Sequence, residues 1–329
     1  MATYWKKKSQ HEIKDVVFKA LQNNLNYDTQ NILGIPASYL DDKVFNQDAS
    51  FLKDAPFISS LTQNPNHIGC HTLGKSESFF QGSQAIEKEL IEICAVDILN
   101  GHAAMQDGYV ASGGTEANIQ AIWIYRNYFL KQSAKREQIC IICSEDSHYS
   151  MDKAANLLAL DIYKVRVEPN TREITQKRVN ETILTAQKDG KTKFIVICNM
   201  VTTMFGSIDD VNAYVNVLKN LSCDFKIHVD GAYGGFYHPF TKDDNRLTFE
   251  NKNITSFTLD AHKMAQAPYG TGIFLIRKGF MHHAKTQEAS YVEGEDFTLI
   301  GSRSGANAIA VWMILSKNGP YGWQEKIFI

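Results

Sequence analysis

From Gln84 onward, apolar residues recur at helical spacing: Ile86, Leu90, Ile93, Cys94 and Ile98 share one face and predict a helix over 85–99. The preceding stretch, 1 to about 80, is polar and irregular. Short helical pieces such as 11–23 alternate there with turn signals at Gly34-Ile35-Pro36 and Asn64-Pro65-Asn66. It reads as an N-terminal arm that lies on something else. Beyond the helix at 85–99, short apolar runs predict strands at 139–143, 194–198, 227–229, 255–259 and 273–276. Helical patterns lie between them at 116–129, 151–160, 179–188 and 211–220. Such alternation predicts an α/β fold whose mainly parallel sheet is flanked by helices. Ligands of these sheets bind at the carboxyl ends of the strands, so chemistry is expected in the loops that follow them. A large domain is expected over 81–290. A new helical pattern at 308–315 opens a smaller C-terminal domain over 291–329, which the sequence leaves apparently truncated.

Composition narrows the choice of partner. Hydrophobic residues make up 44% of 329, enough for a full core, so disorder is excluded as the main state. Thirty-four basic residues against 36 acidic ones leave no broad field for nucleic acid or an anionic membrane, and the partner is expected to be a small molecule. No apolar run reaches membrane-spanning length and none follows Lys6-Lys7-Lys8, so a cytoplasmic protein is expected. The six cysteines do not form a disulfide framework. Cys140 and Cys143 make a CxxC, but inside an apolar run that reads as a buried strand, where packing is the simpler role and no metal site is expected.

Three local patterns carry chemistry. In Ser112-Gly113-Gly114-Thr115-Glu116-Ala117-Asn118, two glycines and two hydroxyls precede an apolar helix, so backbone N–H groups can face an anion. The same residues read equally as an ordinary capped helix start. In Ile227-His228-Val229-Asp230-Gly231-Ala232, an acid ends an apolar strand, where a carboxylate can pair with a protonated ring nitrogen. Strand-end aspartates also cap helices or bind metals. In Asp260-Ala261-His262-Lys263, a lysine stands between a strand and the glycine-rich Gly270-Thr271-Gly272. An isolated lysine is usually a solvated surface residue. Together, an anion-binding turn, a strand-end acid and this lysine are the parts that a phosphorylated, aldehyde-bearing pyridine requires.

These residues resemble the group II pyridoxal-phosphate-dependent amino-acid decarboxylases, over about 80–315. Ser112 to Asn118 is similar to the family's phosphate-binding SGGTEAN run, and His148-Tyr149-Ser150 with Lys153-Ala154 to its HYSxxKA segment. The resemblance implies a PLP-dependent transferase fold, aspartate-aminotransferase-like (fold type I), and pyridoxal 5′-phosphate as cofactor. It implies Lys263 as the Schiff-base lysine, Asp230 as partner of the pyridinium nitrogen, and Ala232 as the small residue beneath the ring. His148 would stack on the ring, Gly114, Thr115 and His262 would contact the phosphate, and Thr202 would lie near the ring hydroxyl. The family usually has glycine where Val201 stands. Ser290-Tyr291 followed by Gly301-Ser302-Arg303 resembles bacterial histidine decarboxylases and archaeal tyrosine/aspartate decarboxylases. Tyr291 is thereby a proton donor or a packed tyrosine, and Arg303 a substrate-binding residue or a structural salt bridge. Histidine, aspartate, glutamate and tyrosine are the expected substrates, with His67, His71 and Tyr109 as possible lining residues. Family members are homodimers with the active site between subunits. Two other readings remain: an aminotransferase or phosphorylated-amine lyase using the same lysine, and a truncated, inactive cofactor-binding homologue.

Overall fold

A computed structural model describes residues 2–26, 29–31, 38, 40–74, 78–241, 245–285 and 296–328. Its centre is a seven-stranded sheet in the order β1-β7-β6-β5-β4-β2-β3. The strands are β1 (Gln106–Ala111), β2 (Ile139–Ser144), β3 (Asp161–Val165), β4 (Lys193–Asn199), β5 (Asp224–Gly231), β6 (Ile254–Asp260) and β7 (Gly272–Arg277). β2 to β6 pair in parallel, and β7 runs antiparallel to both β6 and β1. This is the mainly parallel sheet that the alternating pattern predicts.

Among the described residues ten helices surround it: α1 (Gln10–Gln22), α2 (Asp42–Phe45), α3 (Pro56–Gln63), α4 (Gln81–Glu92), α5 (Gly114–Lys131), α6 (Ser150–Leu158), α7 (Gln176–Lys188), α8 (Val211–Asn220), α9 (His238–Thr241) and α10 (Gly305–Phe328). α4 runs on into a π-helical segment, Ile93–Ile98, so that together they fill the helix expected at 85–99. The period-2 alternation of the buried strands sorts their side chains into two cores. Ile139, Ile141, Cys143, Ile195 and Ile197 pack with α5 and α6. Cys140, Ile142, Phe194, Val196 and Cys198 pack with α4, α7, α8 and α10 on the other face. Cys140 and Cys143, three residues apart on one strand, therefore belong to opposite cores and both are packing residues.

Two strands went unpredicted. β1 is polar in sequence but wholly buried, and its Asp107 accepts a hydrogen bond from Thr72 Oγ1 at 3.0 Å. β3 is an edge strand with four of five positions at least partly exposed, so no apolar run marks it.

The residues read as an arm pack on their own chain. Ser9 and Glu12 form a capping box at the start of α1, which buries Ile13, Val17, Ala20 and Leu21 in the core shared with α4 and α10. Asp97 accepts hydrogen bonds from the backbone N–H groups of Thr3, Tyr4 and Trp5, and the buried Trp5 indole donates to Leu315 O at 2.7 Å. α10 breaks at Gly319 (φ 66) and Pro320, yet Trp312 and Trp323 on either side are both buried. Among the described residues no helix is long and apolar enough to cross a membrane.

Candidate active site

The carboxyl ends of β4, β5 and β6, the start of α5 and the loop before α6 enclose a cleft of about 320 Å³. Gly114, Thr115, His148, Thr202, Asp230, Ala232, His262 and Lys263 all line it. Eight positions singled out in sequence thus meet in one place, though they are spread over 150 residues.

α5 follows β1 with only Ser112 and Gly113 between them, and no side chain caps its first turn. Glu116 turns back past the helix start, accepting from Ser112 N, one residue before the N-cap Gly113, at 2.6 Å and from the Tyr109 hydroxyl at 3.1 Å, so a reciprocal capping box does not form. The amides of this turn are left to whatever occupies the cleft, the arrangement that suits an anion. Glycine is required at 114 by close approach: a Cβ there would lie 2.8 Å from Asp260 Oδ2 and 3.1 Å from the Ala232 methyl.

Asp230 is the penultimate residue of β5, 7% exposed. Its Oδ1 accepts from Ala232 N at 3.0 Å and its Oδ2 from Asn118 Nδ2 at 2.9 Å. The same Asn118 amide group donates to Ser150 Oγ at 3.0 Å, and Ser150 Oγ lies 2.9 Å from His148 Nδ1. Burial pushes the His148 ring toward its neutral form, partly opposed by the charge of Asp230.

On the opposite wall, Lys263 Nζ stands 3.2 Å from Asp260 Oδ2, with His262 Nε2 3.5 Å from the same oxygen. Burial raises the Asp260 carboxyl above its ordinary value, while Lys263 and His262 pull it back down. Asp260 Oδ1 and His262 Nδ1 are buried with no hydrogen-bond partner among the described residues. Nearby, Thr202 Oγ1 meets Ser207 Oγ at 2.8 Å. Val201 adopts φ 69, which accounts for the glycine usual at that position.

Arg303 does not reach the cleft. It is buried, donating from Nη1 to Glu87 Oε1 at 2.7 Å and to Val110 O at 2.9 Å, and from Nη2 to Gly69 O at 2.6 Å. Its guanidinium lies over the Tyr109 ring, 4.9 Å from the centroid. His67 Nδ1 contacts Glu87 Oε2 at 2.5 Å and His71 Nε2 stands 3.3 Å from it. Burial lowers the His71 ring to a pKa of about 4. Of the two roles open to Arg303 in sequence, the geometry gives the salt bridge. His67, His71 and Tyr109 share that buried network and do not line the cleft. Tyr291 lies outside the described residues.

Residues 59–328 match the family model of the pyridoxal-dependent decarboxylase conserved domain. The chain belongs to the pyridoxal-dependent decarboxylases. It is 51% identical over 325 residues to a tryptophan decarboxylase of Clostridium sporogenes, covering 98% of this chain and 78% of that protein. With a probable L-tyrosine/L-aspartate decarboxylase of Methanosarcina barkeri it shares 29% identity over 308 residues, 88% of this chain and 75% of the relative. Among solved structures, L-methionine decarboxylase from Streptomyces sp. 590 superposes with a TM-score of 0.71 at 18% identity, over 97% of this chain and 75% of that one. The protein is therefore a PLP-dependent amino-acid decarboxylase of fold type I, and the family match favours this reading over an aminotransferase. The residues in the cleft fit the cofactor: an uncapped helix start for a phosphate, a strand-end carboxylate for a ring nitrogen, and an amine for an aldehyde.

Proposed function

We propose that this decarboxylase converts L-tryptophan to tryptamine and carbon dioxide. The observation that carries the proposal is the 51% identity, over 98% of the chain, to a protein that bears that activity in its name. The cleft supports it, since Tyr149 and Tyr233 line it while remaining exposed and offer flat faces to an indole. Tryptophan was absent from the substrates expected from sequence.

The residue roles proposed here are supported by position in the cleft, except that of Tyr291, which rests on the resemblance to the family. Gly114 and Thr115 at the start of α5, with His262, hold the phosphate. Lys263 Nζ would supply the amine that holds the cofactor aldehyde, and His148 would pack on the ring. Ala232 would leave space for the ring, and Thr202 would be the hydroxyl available to the ring oxygen. When bound, pyridoxal phosphate supplies the electron sink for the pair released from the Cα–carboxylate bond. Asp230 keeps a proton on the pyridine nitrogen, an interaction that strengthens as negative charge develops, so its loss lowers turnover more than binding. Tyr291 returns a proton to Cα.

The enzyme is proposed to act as a homodimer in the cytosol. Exposed Met204, Phe205 and Tyr269 offer apolar surface to a second copy, and six free cysteines suit a reducing compartment. The mass in solution checks the dimer.

Carbon dioxide release should be measured with tryptophan, tyrosine, histidine, aspartate and glutamate. Tryptophan should give the highest kcat/KM, and turnover of any other of the five in preference would overturn the substrate assignment. Purified protein should show a cofactor absorbance band that Lys263→Ala abolishes. Retention of that band in the variant would remove Lys263 from its role.

A further inference from the structure

We infer that Asn118 and His228 are positioning residues that bind the two ring contacts, Asp230 and His148, into one unit. The inference rests on the cofactor reading above and adds roles that neither the sequence motifs nor the comparisons assign.

A carboxamide has two N–H donors on nitrogen and acceptor lone pairs on oxygen. Asn118, 1% exposed, uses both sides. Its nitrogen donates to Asp230 Oδ2 at 2.9 Å and to Ser150 Oγ at 3.0 Å. Its oxygen lies 2.9 Å from His228 Nε2. The amide has only one workable orientation, because a flip would press its carbonyl oxygen against the Asp230 carboxylate. Asn118 Oδ1 must then accept, and His228 must carry its proton on Nε2. Thr258 Oγ1 stands 3.0 Å from the same Nε2 as a second acceptor. His228 Nδ1 is left to accept from Ser256 Oγ at 2.6 Å, and Ser256 in turn meets the Tyr125 hydroxyl. Burial holds His228 neutral, with a pKa of about 3, so the network does not switch near neutrality.

The other branch is equally directed. Ser150 Oγ accepts from Asn118 and so turns its own proton to His148 Nδ1, which also faces the Ser150 backbone N–H at 3.3 Å. His148 is thereby fixed as the neutral ring with its proton on Nε2. One amide thus sets both the donor environment of the acid that faces the ring nitrogen and the tautomer of the imidazole that stacks on the ring. Since α5 also begins at the phosphate turn, a single helix aligns all three contacts.

The test uses nitrogen-15 NMR and three variants. In wild-type protein without added cofactor, His148 and His228 should both show protonated Nε2 and unprotonated Nδ1. With cofactor labelled at the ring nitrogen, that nitrogen should be protonated. Asn118→Leu should leave His148 in mixed tautomers, shift the ring nitrogen toward its unprotonated position and weaken cofactor binding by roughly tenfold or more, the loss of a hydrogen bond to a charged group. Ser150→Ala should change the His148 signal alone. Asn118→Asp, nearly isosteric, covers the case in which the leucine variant does not fold, and should weaken cofactor binding at least as much through like-charge repulsion. A folded Asn118 variant with the wild-type His148 tautomer and a protonated ring nitrogen would overturn the inference. Failure of wild-type protein to bind the cofactor would instead overturn the cofactor reading, while the histidine tautomers would still test the network.

Discussion

Val201 pairs a β-branched side chain with a left-handed backbone, φ 69, at the rim of the cleft. Such a conformation costs of order 1–3 kcal/mol, and glycine adopts it freely. Val201→Gly should therefore stabilise the protein by about 1 kcal/mol after the added chain entropy of glycine is subtracted. Chemical denaturation checks this, and a lower midpoint for the variant would mean that packing of the isopropyl group outweighs the strain. Residues of this kind are where sequence reading reached furthest. Lys263, Asp230, His148 and the Gly114-Thr115 turn each sit in a contiguous motif, and each arrives in the cleft. Asn118 and Ser150 lie in those same motifs, but what they do was not legible, because their partners are remote. Asn118 meets Asp230 across 112 positions and His228 across 110. Local spacing carries no trace of such a contact.

At the level of elements, the pattern found the buried parallel strands and missed β1, where Asp107 Oδ1 and the Val110 N–H find partners distant in sequence while the buried Gln106 amide has none among the described residues. Glu87 on α4 is the hub of that satisfaction. It accepts from Val110 N at 2.7 Å, pairs with Arg303 just before α10, and contacts His67. One carboxylate thus joins α4, β1 and the segments that precede α4 and α10. Arg303 was legible as an arginine worth weighing, but nothing in sequence told its partner. Removing one member of a buried pair leaves the other charge uncompensated, which costs about 3–5 kcal/mol. Arg303→Met should lose stability on that scale, and adding Glu87→Gln should restore a part of it. Equilibrium denaturation of the single and double variants decides. Full stability in Arg303→Met alone would show that His67 and His71 suffice to balance Glu87.

Across the whole molecule, two buried acids outside the cleft lining, Glu87 and Asp209, shape the response to pH in opposite directions. Glu87 is held well below the ordinary range by Arg303 and His67 against the penalty of burial, so its contribution is present above pH 4.5 and is lost as pH falls through its folded value. Asp209 behaves oppositely. Burial pushes it from 3.8 to about 7, although its Oδ2 accepts from Asn199 N at 2.8 Å and from Asn199 Nδ2 at 2.7 Å. Between about pH 4 and pH 7 the folded chain keeps a proton that the unfolded chain releases. Stability attributable to Asp209 therefore falls with rising pH across that window, by up to about 1.4 kcal/mol per unit, and levels off above it. Asp209→Asn keeps an oxygen for the Asn199 donors and removes the titration, so its stability should fall less steeply from pH 4 to pH 7 than that of the wild type. Denaturation midpoints measured across that range test the point, and parallel curves for the two proteins would locate the slope elsewhere. Because Asn199 also lines the cleft and donates to Ser147 Oγ at 2.9 Å, one residue before His148, the proton on Asp209 sits two hydrogen bonds from the catalytic loop. Near neutrality, then, the titration of Asp209 reaches through Asn199 to the loop that carries His148.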